Sequence, residues 1–160
     1  MELTIPLGEA VALVRATGAL PKAVTNVTAR GTSVLASVNV HELPDVAPTI
    51  AMAARFAGPF EAQLDDLGVT GRSWRLVLRV AHPVLRFDLS SFVTTAVQDQ
   101  LAKAPAGLVT VRTENGATVV EVDLDRAVGL LPVTVPPTAR PRVESVSLGE
   151  WFHLVVGLGV

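Results

Sequence analysis

Leu108–Leu124 reads LVTVRTENGATVVEVDL, and its Asn115-Gly116 pair is the point from which the fold is read. A two-residue type I′ turn needs φ > 0 at both central positions, which Asn-Gly supplies at least cost. A turn there pairs Glu114 with Ala117, Thr113 with Thr118, Val111 with Val120 and Val109 with Val122. The four valines of those last two pairs then share one face of a hairpin, and Thr110, Arg112, Val119 and Glu121 share the other. Turn chemistry and side-chain alternation demand the same register, so the hairpin is specified twice over.

The flanking chain extends this pattern. Leu3, Ile5 and Leu7 alternate as a short strand, and a helix runs from Gly8-Glu9 to about Leu20, with Gly18 and Pro21 to stop it. Val24–Ala29 and Ser33–His41 read as strands about an Arg30-Gly31 turn that sets Val27 opposite Val34. Thr49–Phe56 reads as a helix capped by Thr49, with a helical turn in Phe60–Asp66. Val69–Val80 reads as one strand with Trp74, Leu76, Leu78 and Val80 on one face. After His82-Pro83 comes a strand over Val84–Leu89, with Leu85, Phe87 and Leu89 facing inward. Ser90-Ser91 caps a helix over Phe92–Ala104. A helical turn at Asp125–Leu131, an extended Val133–Pro141, and strands at Arg142–Leu148 and Trp151–Leu158 complete the chain. The apolar C-terminal run is expected to be tied into a sheet.

The landmarks recur in order. Ile5-Pro6-Leu7 and Phe87-Asp88-Leu89 each precede a helix, and Pro21 and Pro105 each end one. Gly31 and Gly116 turn the hairpins, and Val40 and Leu124 close them. Trp74 and Trp151 each follow a glycine, Gly71 or Gly149, into a late strand. The expectation is one α+β domain, 1–160, of two βαββ(x)β repeats, about 1–82 and 83–160, each packing its helix on a twisted antiparallel sheet.

Of 160 residues, 49% are hydrophobic and only 18% charged, against about a quarter charged in ordinary globular chains. Two readings of that excess stand: a Val- and Ala-rich domain with an apolar dimer interface, or apolar surface lining a ligand cavity or groove. A net charge of −2 gives no positive field for nucleic acid. There is no cysteine, hence no disulfide framework or thiolate chemistry. No run reaches the roughly 18 apolar residues of a membrane span. No signal peptide is visible at the N-terminus, and the expected location is cytoplasmic or membrane-peripheral.

Motifs for catalysis are lacking. His41, Glu42 and Asp45 fit no metal-ligand spacing, and Ser90-Ser91 lies in no nucleophile elbow, so no metal, cofactor or catalytic residue is assigned. The arginines are the exception. If strands pair about His82-Pro83, Arg79 faces Arg86 with Arg75 nearby, and like charges so opposed destabilise a sheet. Asp88 or the Asp65-Asp66 carboxylates relieve the conflict, or an anion such as a phosphate or lipid head group sits on Arg75, Arg79 and Arg86, or the hairpin is absent because Pro83 suits its second position poorly.

The succession Leu3–Leu20 into Val24–Val40, recurring as Leu85–Ala104 into Leu108–Leu124 and then Arg142–Val156, resembles the tubular lipid-binding superfamily and the small bacterial domains related to it. The resemblance implies a non-enzymatic binder of a lipid or other apolar small molecule along the helix–sheet seam, and it carries over no site residue. The pattern itself offers Val14, Val38, Trp74, Leu78, Phe92, Val97, Val120 and Trp151 as lining. The alternative is a structural or assembly protein whose apolar sheet face or edge makes a homo-oligomer. An enzyme of unrecognised type is the third reading.

Overall fold

The Asn115-Gly116 turn forms with φ of 50° and 73°, as a type I′ turn requires. In the computed structural model, described for residues 1–43, 46–86, 88–131 and 134–159, it joins β6 (Val109–Glu114) to β7 (Ala117–Asp123). Every expected pair is present, from Glu114 opposite Ala117 to Val109 opposite Val122.

Around this hairpin the chain builds an α+β fold with two antiparallel sheets. In order come β1 (Glu2–Pro6), α1 (Leu7–Ala16), β2 (Val24–Arg30), β3 (Ser33–Val38), a 3-10 turn (Val40–Glu42) and α2 (Pro48–Ala57). Then follow β4 (Phe60–Thr70), β5 (Ser73–Ala81), α3 (Ser90–Leu101), the hairpin, α4 (Leu124–Val128), β8 (Arg140–Leu148) and β9 (Trp151–Gly159). Six strands pair as β2-β3-β4-β5-β7-β6, and three as β1-β9-β8. The apolar C-terminal strand is thus tied into a sheet, as expected, and it takes the middle place in the smaller one.

The core lies between α2, α3 and one face of the larger sheet. Val38, Val40, Ala54, Phe60, Ala62, Leu89 and Val93 are buried there, with Ala36, Ile50, Leu78, Val80, Phe92 and Val97 packed around them. Alternation of Phe60, Ala62 and Leu64 makes β4 a strand, which corrects the expected helical turn. Gly71, at φ 63°, turns the chain between Thr70 and Ser73, so Val69–Val80 is a hairpin end plus a strand.

Other expectations are corrected too. The β2–β3 turn is Gly31-Thr32, which pairs Ala29 with Val34 and leaves Val27 in an irregular stretch beside Asn26 at φ 51°. Helix α2 begins with Pro48 at its first position, so Thr49 is not its cap. Helix α3 starts at Ser90 with Leu89 at the N-cap position, so Ser90-Ser91 is not its cap; Ser90 instead donates from N at 3.0 Å and from Oγ at 2.6 Å to Asp88 Oδ1. No strand forms at Val84–Arg86 or at Asp88–Leu89, and Phe87 lies outside the described residues. The reason is local: His82 Nδ1 accepts from Val84 N at 3.1 Å and Leu85 N at 3.0 Å, withdrawing the donors a ladder would use.

The recurring landmarks do not carry through to strand pairing. The first half sends four consecutive strands into one sheet, whereas the second sends β6–β7 there and β8–β9 to β1. The two indoles also differ. Trp74 is half-buried, its Nε1 donating to Asp66 Oδ1 at 2.9 Å, while Trp151 is 52% exposed opposite Pro6.

Asp66 joins the two sheets. Its Oδ1 also accepts from Gly68 N at 2.7 Å, across the β4 bulge, and its Oδ2 accepts from Leu148 N of β8 at 2.8 Å. Phe152 of β9 packs on Trp74 beside it, ring centroids 6.4 Å apart. Gly149 is required at this junction, since a Cβ there would lie 2.6 Å from the Gly31 carbonyl oxygen.

Candidate functional site

The eight expected lining residues do not converge on one surface. Val38, Leu78, Phe92 and Val97 belong to the packed core, and Val120 is half-buried in β7 opposite Val111. Trp74 is engaged at the sheet junction, and Val14 and Trp151 stand exposed on α1 and β9. One concavity of about 310 Å³ is lined by Asn26, Thr28, Ser37, Glu61 and apolar neighbours. Another of about 230 Å³, which includes Leu78, is bordered by Arg79, Asp88 and Ser90. Binding sites for drug-sized ligands run from about 300 to 1,000 Å³ and are mostly apolar.

The arginines are compensated within the fold. Arg79 is opposite Gln63, not Arg86, and its Nη1 donates to Asp65 Oδ2 at 3.1 Å. Asp65 Oδ1 also accepts from Gln63 Nε2 at 2.9 Å and Ser33 Oγ at 2.5 Å. These two hydrogen bonds, with Arg79 adding attraction, hold its carboxyl below the ordinary Asp range. Arg75 Nε lies 3.1 Å from Glu121 Oε1, and Arg112 bonds both Glu121, at 3.2 Å, and Glu114, at 3.1 Å. Those carboxylates push the Arg112 guanidinium further up. The face that carries Arg75, Val77 and Arg79 is therefore an ionic lattice over a floor of buried Val77, Ala117 and Val119. Arg86 is exposed and joins neither group.

Among the described residues no group of three His, Cys, Asp or Glu side chains could hold a metal. His41 Nε2 is 4.0 Å from Glu42, and Asp45 lies outside the described residues. No helix among them is long and apolar enough to cross a membrane.

The most unusual surface was not among the expected sites. Helix α2, PTIAMAARFA, contains one charge, Arg55. Its inner stripe buries Ala54 and packs Ile50 on the core. Its outer stripe carries Met52 and Phe56, one turn apart at i and i+4, exposed by 64% and 89%. Beside its C-terminus Val84 is 77% exposed. The corner holding Val84 is clasped by His82, whose Nδ1 accepts two backbone N–H groups, so its proton sits on Nε2, which donates to Ala57 O at 3.1 Å. The ring also packs on Phe60, centroids 5.1 Å apart. One signal for this patch was readable beforehand: a short helix apolar on both sides has more faces than one core can cover.

No family model matches the chain, and no curated protein or solved structure matches it.

Proposed function

We propose that this chain is a non-enzymatic assembly module that works as a homo-oligomer. The observation that carries the reading is surface area. The chain exposes 9927 Å², whereas a compact protein of 16.8 kDa exposes about 7,600 Å². The surplus of about 2,300 Å² exceeds what one protomer hides in an ordinary interface, about 800 Å². Large apolar side chains stand on that surface, including Leu13, Met52, Phe56, Val84 and Trp151.

The larger sheet is a poor place for the contact. Its apolar face is covered by α2 and α3, and the opposite face carries the ionic lattice. Its β2 edge is irregular at Asn26, and Gln98 Nε2 donates to the Val111 carbonyl of β6 at 3.0 Å. Strand β8 carries Arg140, Pro141, Arg142 and Glu144, residues that discourage edge pairing. Exposed apolar side chains remain on helices α1 and α2, at Leu67 and Val69 of β4, and on the smaller sheet at Leu3, Trp151 and Leu158.

Light scattering on a sizing column, across a concentration series, tests the reading. The expected result is a concentration-dependent oligomer, with no bound apolar molecule in native mass spectra. A monomer throughout would refute it. A co-purified lipid would instead favour binding of an apolar ligand along the helix–sheet seam, a reading with less support because that seam is filled by Phe60, Leu89 and Val93.

A further inference from the structure

We infer that His82 is a proton-operated latch: its neutral ring closes the corner at residues 82–85 onto the C-terminus of α2, and its protonation opens that corner. The latch works within one copy of the chain, whatever the oligomeric state. Both ends of the ring are committed. Nδ1 lies 3.1 Å from Val84 N and 3.0 Å from Leu85 N, two donors, so it must present its lone pair to them. Nε2 lies 3.1 Å from Ala57 O, an acceptor only, so it must carry the proton. Pro83 has no N–H, and the first two amides after His82 are the ones the ring takes. The closed corner therefore admits one tautomer of the neutral ring and no charged form.

A histidinium has N–H at both nitrogens. Turned either way, it meets the two amides with a donor, so closure and protonation exclude each other. An imidazole released from these bonds takes a proton near about pH 6.5. Opening thus binds one proton, and each pH unit below that value multiplies the open population about tenfold. The surrounding charges do not alter the sign. Helix α2 brings Arg55, the corner brings Arg86, and β4 brings Glu61, which strand alternation places on the face opposite Phe60. Among the described residues the histidine ion pairs are those of His41 and His153. Opening is local, because the Val84 bond lies at the surface, where water replaces it. The parts that move are Leu85, at the rim of the core, and Pro83, which lines the concavity of about 310 Å³ with Asn26 and Glu61. Acid thus loosens one wall of that concavity and the anchor of α2 at Ala57.

NMR of the whole chain tests the latch, with amide exchange rates divided by those of an unstructured peptide at the same pH to give protection. Between about pH 7.5 and about 5.5 the protection of Val84 and Leu85 should fall about tenfold, while that of buried Thr118 and Val119 in β7 holds. The imidazole nitrogens should report the Nε2–H tautomer at the upper pH. His82→Asn supplies the control, since its Oδ1 can accept the same two amides and does not titrate; protection in this variant should not change with pH. An Nδ1–H tautomer at the upper pH overturns the latch. So does a wild-type corner whose amides stay protected down to about pH 5.5, or an equal fall in His82→Asn. If His82→Asn does not fold, the wild-type ring and amide signals decide alone: protonation of His82 with both amides still protected refutes the proposal, and the two changing together supports it.

Discussion

Helices α2 and α3 lie against the same face of the same sheet, yet they treat water differently. Helix α3 buries Val93 and Thr94 and turns Thr95, Gln98, Asp99 and Gln100 outward. Its contact with the sheet is partly polar: Thr94 Oγ1 lies 2.7 Å from Thr113 Oγ1 and 2.9 Å from Thr118 Oγ1. Helix α2 buries Ala54, docks by apolar packing, and turns Met52 and Phe56 outward. One helix is finished by this chain alone, with an inner face for the core and an outer face for solvent. The other has two apolar faces and one core, so its outer stripe is left facing water.

The contrast breaks first at the seat of α2. Phe60 is 1% exposed, and Phe60→Ala should cost about 3–5 kcal/mol, as large core truncations do; urea denaturation followed by circular dichroism measures it. An unchanged midpoint would mean that apolar packing does not hold α2 in place. Next comes the seat of α3. Thr94→Val removes the hydroxyl between Thr113 and buried Thr118, and should cost about 1–3 kcal/mol because Thr118 loses a partner.

The ionic face gives a smaller, pH-dependent effect. Asp65 has a carboxyl held below its ordinary range in the folded chain. Its stabilising contribution is full above the unfolded value of about 3.9 and fades as pH falls through the lowered folded value. Because the group is partly exposed, the loss should stay below about 1 kcal/mol. Ser33→Ala should shrink it, and acid titration of unfolding in the two proteins reads the difference. The smallest effect belongs to the outer stripe. At concentrations where the chain is monomeric, Phe56→Ser should change unfolding free energy by no more than about 0.5 kcal/mol. A larger loss would place Phe56 in the fold of the monomer.

How far the sequence could be read depended on how local the cause was. The register of β6–β7 was legible because Asn115, Gly116 and alternating valines act within seventeen residues. The segment after His82 was misread because a histidine side chain, not the hydrophobic pattern, took the Val84 and Leu85 amides. The arginine conflict vanished for the same reason: without that strand, Arg79 faces Gln63 and reaches Asp65. Of the candidate site residues, Val38, Leu78, Phe92 and Val97 were rightly read as apolar and inward, but they meet one another and not a cavity. Phe56 was legible as apolar and as helical, yet its direction depends on which stripe of α2 the core covers.

By itself the sequence determined the α+β character, the type I′ hairpin, the inward faces of β5 and β7, and the incorporation of the C-terminal run into a sheet. Those follow from backbone preferences and side-chain periods acting over a few residues. Only the tertiary structure decided that β7 would pair with β5, that β8–β9 would leave to form a second sheet with β1, and that Asp66 would tie the sheets together. Pairing between distant strands depends on competition among many similar valine-lined edges, and no single residue carries that choice. The same competition settled which face of α2 was covered and which was left to water.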